Sequence, residues 1–219
     1  MKIQGKVPKS MINEFLCVLK KRQKVNLAVV FINLALFIAV SATGGYTRPS
    51  PIMTEGIMFP PFVFANGEYY RLFTSMFLHF DAEHVLFNML LLFFAGDMLE
   101  ERFGKIRYLL VYLIGGLSGN LLSFAVEFFG SGADYAVSAG ASGAVFAVIG
   151  ALVWIVLFDR TRAEGIDKKG LFAMAVLSLV QGFFETGVDE FAHLGGFIGG
   201  FLLAALLGIG SFQKTNRKD

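Results

Sequence analysis

One serine and one histidine stand out in a chain built mostly of apolar residues. Ser142 sits in Gly140-Ala141-Ser142-Gly143, at the start of one long apolar segment. His193 sits in Ala192-His193-Leu194-Gly195-Gly196, near the start of another. Polar and ionisable groups inside a membrane are costly and mark function by default. A serine hydroxyl within reach of an imidazole is a nucleophile with its base, the pairing used for acyl transfer. Acyl transfer passes through a tetrahedral oxyanion, which needs donors placed in advance. His84 and Asn88 are an i, i+4 pair on one helix face and offer an imidazole N–H and an amide. The backbone N–H of Ser142 is a third donor. The His84–Asn88 pair also suits tying a loop to a helix bundle. His79, which lies outside the helix, is the better candidate for that structural part.

The elements that must position these residues are membrane spans. The chain is 55% hydrophobic, too apolar for a soluble domain of 219 residues. A helix crosses the hydrocarbon core with about 20 apolar residues. The apolar runs predict an all-α protein with helices at 25–43, 83–99, 106–127, 141–158, 170–185 and 190–209, the second and fifth being short. The expected organisation is a basic N-terminal segment (1–24), a six-helix membrane domain (25–209) and a tail (210–219). The first apolar run lacks a small-residue cleavage site, so it reads as a retained span rather than a removed signal. A long external loop, 44–82, holds Pro49, Pro51, Pro60 and Pro61 and an aromatic run from Phe62 to Tyr70. Prolines set turns and aromatics favour the interface, so this loop is expected to be structured and partly embedded. The single cysteine, Cys17, excludes an internal disulfide.

Charge assigns the orientation. With six crossings and both termini in the cytoplasm, every Lys and Arg except Arg48 and Arg71 falls on the cytoplasmic side. Glu55, Glu68, Asp81, Glu83, Glu127, Asp134, Glu185, Asp189 and Glu190 gather on the other side. That is the positive-inside bias. The fourth and sixth helices then both begin at the outer face, with Ser142 and His193 at similar depth. The agreement is independent evidence, because topology was assigned from Lys and Arg alone.

Small residues say which faces meet. His193, Gly196, Gly200 and Ala204 fall on one narrow face of the sixth helix. Gly140, Gly143 or Ala144, Ala147 and Ala151 make a similar stripe at the fourth. Small residues let backbones approach closely, so packing these stripes together brings His193 near Ser142. Gly199, about 100° round the helix from Gly200, is expected to tolerate a bulky side chain better. Taken singly, Ser142 bonding its own helix and His193 bridging helices are the simpler readings. Taken together, at one depth and on small-residue faces, they favour catalysis. No Asp or Glu lies in these two helices close to the pair, and Asp189 sits one turn before His193 at the water interface. A Ser–His dyad is the economical reading.

This set of residues resembles the rhomboid family of intramembrane serine proteases. The matching motifs are Gly140-Ala141-Ser142-Gly143, His84-x-x-x-Asn88, and Ala192-His193-x-x-Gly196-x-x-x-Gly200. Tyr70-Arg71 and Glu100-Glu101-Arg102 are similar to two further family patterns, and the likeness covers roughly 60–208 in matching order. The resemblance implies a six-helix rhomboid-like bundle in a bacterial cell membrane, with the site toward the external face. It implies Ser142 as nucleophile, His193 as general base and acid, and His84, Asn88 and the Ser142 backbone as oxyanion hole. Gly140 matches the glycine that lets the loop wrap the nucleophile. Glu100 and Arg102 would bridge the cytoplasmic turn after the second helix. Phe146 stands where many relatives have a tyrosine stacked on the histidine, and it keeps the ring face without the hydroxyl.

The implied substrates are single-span membrane proteins, cut near the outer end of their helix. Two rivals come from other classes. A small-solute transporter would show duplicated spans and midplane polar sites, whereas here the polar residues gather at one end. A non-catalytic chaperone or adaptor on the same scaffold would not react with a serine-directed probe. No cofactor is implied. His79, His84 and His193 do not form a His-Glu-x-x-His metal motif. The basic residues are accounted for by topology, so nothing points to nucleic acid.

Overall fold

The computed structural model describes residues 22–44, 50–130, 135–184 and 188–215. The expectations for 1–21, Arg48, Asp134, Glu185 and the last four residues lie outside these. Six long helices run through the described residues. They are α1 (Lys24–Ala42), α2 (Ala82–Phe103), α3 (Lys105–Phe129), α4 (Ser142–Phe158), α5 (Lys168–Phe184) and α6 (Glu190–Thr215). No strand occurs among the described residues beyond an isolated antiparallel bridge between Met58 and Ser138.

Lys24–Ala42, Ala82–Phe103, Lys105–Phe129 and Glu190–Gly208 are long and apolar enough to cross a membrane. The apolar α4 is shorter, at 17 residues. α2 is not the short helix expected from its apolar run: it continues to Phe103 and has 22 residues. The extra turn carries Glu100 and Arg102, and the fold satisfies both of them and Asp97 just before it. Glu100 is buried and accepts the N–H groups of Val25 (3.3 Å) and Asn26 (2.6 Å). Asp97 accepts the N–H of Gln23 (2.9 Å) and pairs with Arg22 (3.0 Å). The first N–H groups of any helix lack partners within it, so two carboxylates from α2 cap α1. Arg102 reaches the carbonyls of Arg162 (2.9 Å) and Met98 (3.2 Å). Glu100 and Arg102 therefore hold different neighbours and do not bridge one another. α2 turns into α3 at Gly104, whose φ of +79° favours glycine.

Both α2 and α3 contain a π-turn, at Leu92–Gly96 and Val111–Gly115. A π-turn breaks the regular ladder of helix hydrogen bonds. Asn26 of α1 enters that gap in α2, its amide donating to Leu92 O (2.9 Å) while its oxygen accepts from Tyr108 OH (2.7 Å). Gly96 leaves room for this asparagine, since a Cβ there would collide with Asn26 Oδ1.

α4 is the centre of the bundle. Every residue from Gly143 to Val156 is buried, as a helix apolar all round requires. α6 packs along it and along α3, using two glycine faces. A Cβ on Gly196 would strike the Gly143 carbonyl oxygen, and one on Gly200 would strike that of Ala147. Gly199 does not face open space as expected: a Cβ there would strike Ser118 Oγ of α3. Gly195 lies against Leu122 and Ser118 on that same side. Ser118 Oγ sits 2.6 Å from Gly115 O and 2.9 Å from Gly195 O. Leu194, Ile198, Leu202 and Leu206 form the exposed outer stripe of α6.

The segment between α1 and α2 is structured, with short helices at Pro51–Gly56, Pro60–Ala65 and Arg71–Thr74. Its hub is Arg71, only 3% exposed. Arg71 donates to Thr54 O (2.8 Å) and Ile57 O (3.1 Å), pairs with Glu68 (2.5 Å) and lies over the Phe62 ring (4.9 Å). The Asn66 amide and Arg71 hold the Glu68 carboxyl below its ordinary pKa. Asn120 of α3 anchors the loop through Leu72 O (2.7 Å) and Ser75 Oγ (3.0 Å).

Candidate active site

The first turns of α2, α4 and α6 meet at one end of the bundle, under the loop that Arg71 organises. Ser142 is the first residue of α4 and partly exposed. It is delivered by the segment 135–141, whose backbone is held from several sides. Ser138 exchanges both backbone hydrogen bonds with Met58 (2.9 Å each). Gly140 N–H donates to Ser75 O (2.9 Å). Ala141 N–H donates to Nε2 of His79 (3.3 Å). His79, fully buried and expected to tie the loop to the bundle, thus holds the residue directly before Ser142.

Gly140 has φ +146°, and a Cβ there would come within 2.8 Å of His84 Nε2. The glycine therefore serves both the turn and the close approach of the imidazole. His84 lies one turn into α2, whose N-cap Asp81 accepts the His84 N–H (2.8 Å). His79 and His84 stack edge to face with centroids 5.1 Å apart. Asn88, one turn further on, is 4% exposed, and its Nδ2 has no hydrogen-bond partner among the described residues.

His193 lies one turn into α6. Its ring stacks on Phe146 of α4, with centroids 4.3 Å apart and planes 24° from parallel. Gly143 packs against the Ala192 carbonyl (3.4 Å from its would-be Cβ) and against Gly196, so the backbones flanking Ser142 and His193 are in direct contact. Among the described hydrogen bonds none joins Ser142 Oγ to the imidazole. Such bonds are often long before substrate arrives. His193 Nδ1 is buried without a partner among the described residues. Asp189 is not directed at it. The Asp189 carboxylate instead accepts Ala192 N–H (2.9 Å) and the hydroxyls of Ser123 (2.6 Å) and Ser138 (2.7 Å).

Ser142, His193, His84, Gly140, Phe146 and Gly196 thus meet in one region, with Asn88 one turn beyond His84 on α2 and Gly200 one turn deeper on the α4–α6 contact. Reading the sequence did not assign His79 to the backbone before Ser142, nor Asp189 to two serines. His79 carried a signal, a histidine five residues before His84, but its partner lies 62 residues away. No group of three or more potential metal ligands occurs among the described residues.

Comparison with known proteins agrees with this architecture. GluP, a rhomboid protease of Bacillus subtilis, is 32% identical over 188 residues, which is 84% of this chain and 36% of GluP. YdcA of the same organism is 37% identical over 154 residues, 70% of this chain and 73% of YdcA. RHOMBOID-like protein 1 of Arabidopsis thaliana is 38% identical over 180 residues, 77% of this chain and 43% of that protein. The chain thus spans about a third of GluP and most of YdcA. The Rhomboid domain family matches residues 66–209, the stretch holding five of the six helices and every residue of the converging set. On these grounds the chain is a member of the rhomboid family.

Proposed function

We propose that this protein is an intramembrane serine endopeptidase that cuts single-span membrane proteins through a Ser142–His193 dyad. The observation that carries the reading is the convergence of two separate requirements at one point. A serine at a helix start lies beside a helix bearing a stacked, buried histidine. His84 lies against Gly140, two residues before the serine, and Asn88, one turn further along the same helix, has an unpaired amide donor.

In this reading Ser142 Oγ attacks the scissile carbonyl carbon and His193 takes the hydroxyl proton. The carbonyl oxygen becomes an oxyanion that accepts hydrogen bonds from Asn88 Nδ2, His84 and the Ser142 N–H. Collapse expels the amine, which leaves with the proton from His193. A water then attacks the acyl-serine, giving its proton to His193, and the second collapse frees the acid and returns the proton to Ser142. A carboxylate is not needed to orient the imidazole, because the Phe146 face and the α4–α6 contact fix the plane of the ring.

Six crossings with cytoplasmic termini follow from the distribution of Lys and Arg. In that orientation the site opens toward the external face, and cleavage falls near the outer end of a substrate helix. Helical segments hide their carbonyls in hydrogen bonds, so a substrate must unwind there first. The test is cleavage of a single-span substrate by the purified chain in liposomes, with mass spectrometry of the products. Ser142→Ala and His193→Ala are expected to be folded and inactive. A fluorophosphonate should label Ser142 alone. Cleavage by purified Ser142→Ala overturns the assignment.

A further inference from the structure

A dyad needs its two residues in register. The α4–α6 packing brings Ser142 and His193 together, but no helix or sheet joins the segments that lead into those two helices. The extended segment before Ser142 is held by α3 and by the loop before α2. Ala136 N–H donates to Glu127 Oε2 (3.1 Å), Ser138 pairs with Met58, and Gly140 N–H donates to Ser75 O. Those partners hold the segment from the α3 and loop side and do not themselves reach α6.

Asp189 supplies the link. It precedes α6, and its Oδ1 caps the helix by accepting Ala192 N–H at 2.9 Å. Its Oδ2 accepts the hydroxyl of Ser138 at 2.7 Å, four residues before Ser142. The same oxygen accepts the hydroxyl of Ser123 at 2.6 Å, a residue of α3 that is 1% exposed. Hydrogen bonds to an ionised acceptor are the stronger kind and are geometrically demanding. One carboxylate therefore joins the turn that carries His193, the segment that leads into Ser142 and the helix behind both.

We propose that Asp189 is a positioning residue, which adds to the α4–α6 contact and refines the spacing of base and nucleophile by capping α6 and tethering the segment before Ser142 through Ser138. This rests on the dyad reading. Asp189 acts through two backbones and not as a third member of a triad, because its oxygens are engaged by Ala192, Ser123 and Ser138.

The experiment uses the full chain in liposomes with a single-span substrate. It measures kcat, KM, the rate at which a fluorophosphonate labels Ser142, and thermal stability. Ser138→Ala removes the tether and leaves the helix cap. Its kcat and labelling rate are expected to fall about tenfold, since small misplacements of reacting groups are costly, while KM and Tm stay near wild type. Ser138→Thr, which keeps the hydroxyl, should restore both rates. Asp189→Asn, which keeps a capping oxygen but loses the anionic acceptor, should resemble Ser138→Ala. Combining the two should add little, because they break one connection. Wild-type kcat and labelling in Ser138→Ala overturn the proposal, as do fully additive effects. Ser142→Ala in the same assay separates the two readings. If it still cleaves, the dyad itself fails. If it is silent while Ser138→Ala is fully active, only the tether fails.

Discussion

The ring of Phe146 lies against His193 with centroids 4.3 Å apart and planes 24° from parallel. Phe146 is 3% exposed and belongs to the buried central helix, so the face it offers does not move with solvent. The imidazole thereby has a fixed plane without a carboxylate partner.

Phe146→Ala is expected to lower kcat by up to about tenfold, the value of an aromatic pair of about 0.5–1.5 kcal/mol. Phe146→Tyr keeps the ring and should retain most activity. Steady-state kinetics on both variants check this. Equal kcat in Phe146→Ala and wild type would show that the stacking is incidental.

Asn88→Ala should lower turnover by about 10²–10³, the usual loss of one oxyanion donor. KM should change little, because the bond forms chiefly in the transition state. Deleting an unpaired buried donor should also leave stability intact or raise it slightly. A variant with normal kcat and lowered Tm would assign Asn88 to structure instead.

Two glycines with positive φ are expected to behave differently. Gly140→Ala strains the backbone and drives a Cβ into His84, so activity should be lost. Gly104 has nothing within 4 Å of a would-be Cβ. Gly104→Ala should therefore cost only the backbone penalty, about 1–3 kcal/mol, with activity per folded molecule retained. Thermal unfolding and kinetics on the pair test this.

Leucine at Gly196, Gly199 or Gly200 should lower Tm in every case, because overpacking a tight contact costs about 1–3 kcal/mol or more. Gly196 and Gly200 meet α4, and Gly199 meets Ser118 of α3. Leu202→Ala, on the exposed stripe, should be tolerated. A Gly199→Leu variant as stable as wild type would argue against the α3 contact.

Much of this architecture was legible in the residues themselves. Runs such as 106–127 and 190–209 predict helices because apolar length is a direct consequence of bilayer thickness. The small stripe from His193 to Ala204 predicts a close contact because only small side chains admit one. Gly199 was misjudged because spacing identifies a small face but does not count the neighbours around a helix. The π-turn of α2 has no periodic signature, since an asparagine from a different helix enters it. The continuation of α2 to Phe103 was missed for a similar reason: Glu100 is charged in the sequence, but in the fold it is buried and caps the start of α1. Asp189 reads as an interfacial acid until Ser123 and Ser138, 66 and 51 residues away, are brought to it.

The burial of α4 on all sides has a further consequence. From Gly143 to Val156 the helix touches protein alone. The depth of Ser142 is thus measured from within the fold, and the lipid does not gauge it. Bilayers of differing thickness should tilt or strain the surrounding helices while the central one keeps its height. Such a molecule carries its own ruler, and the position of a cut would be read against that ruler wherever the surrounding membrane is thick or thin.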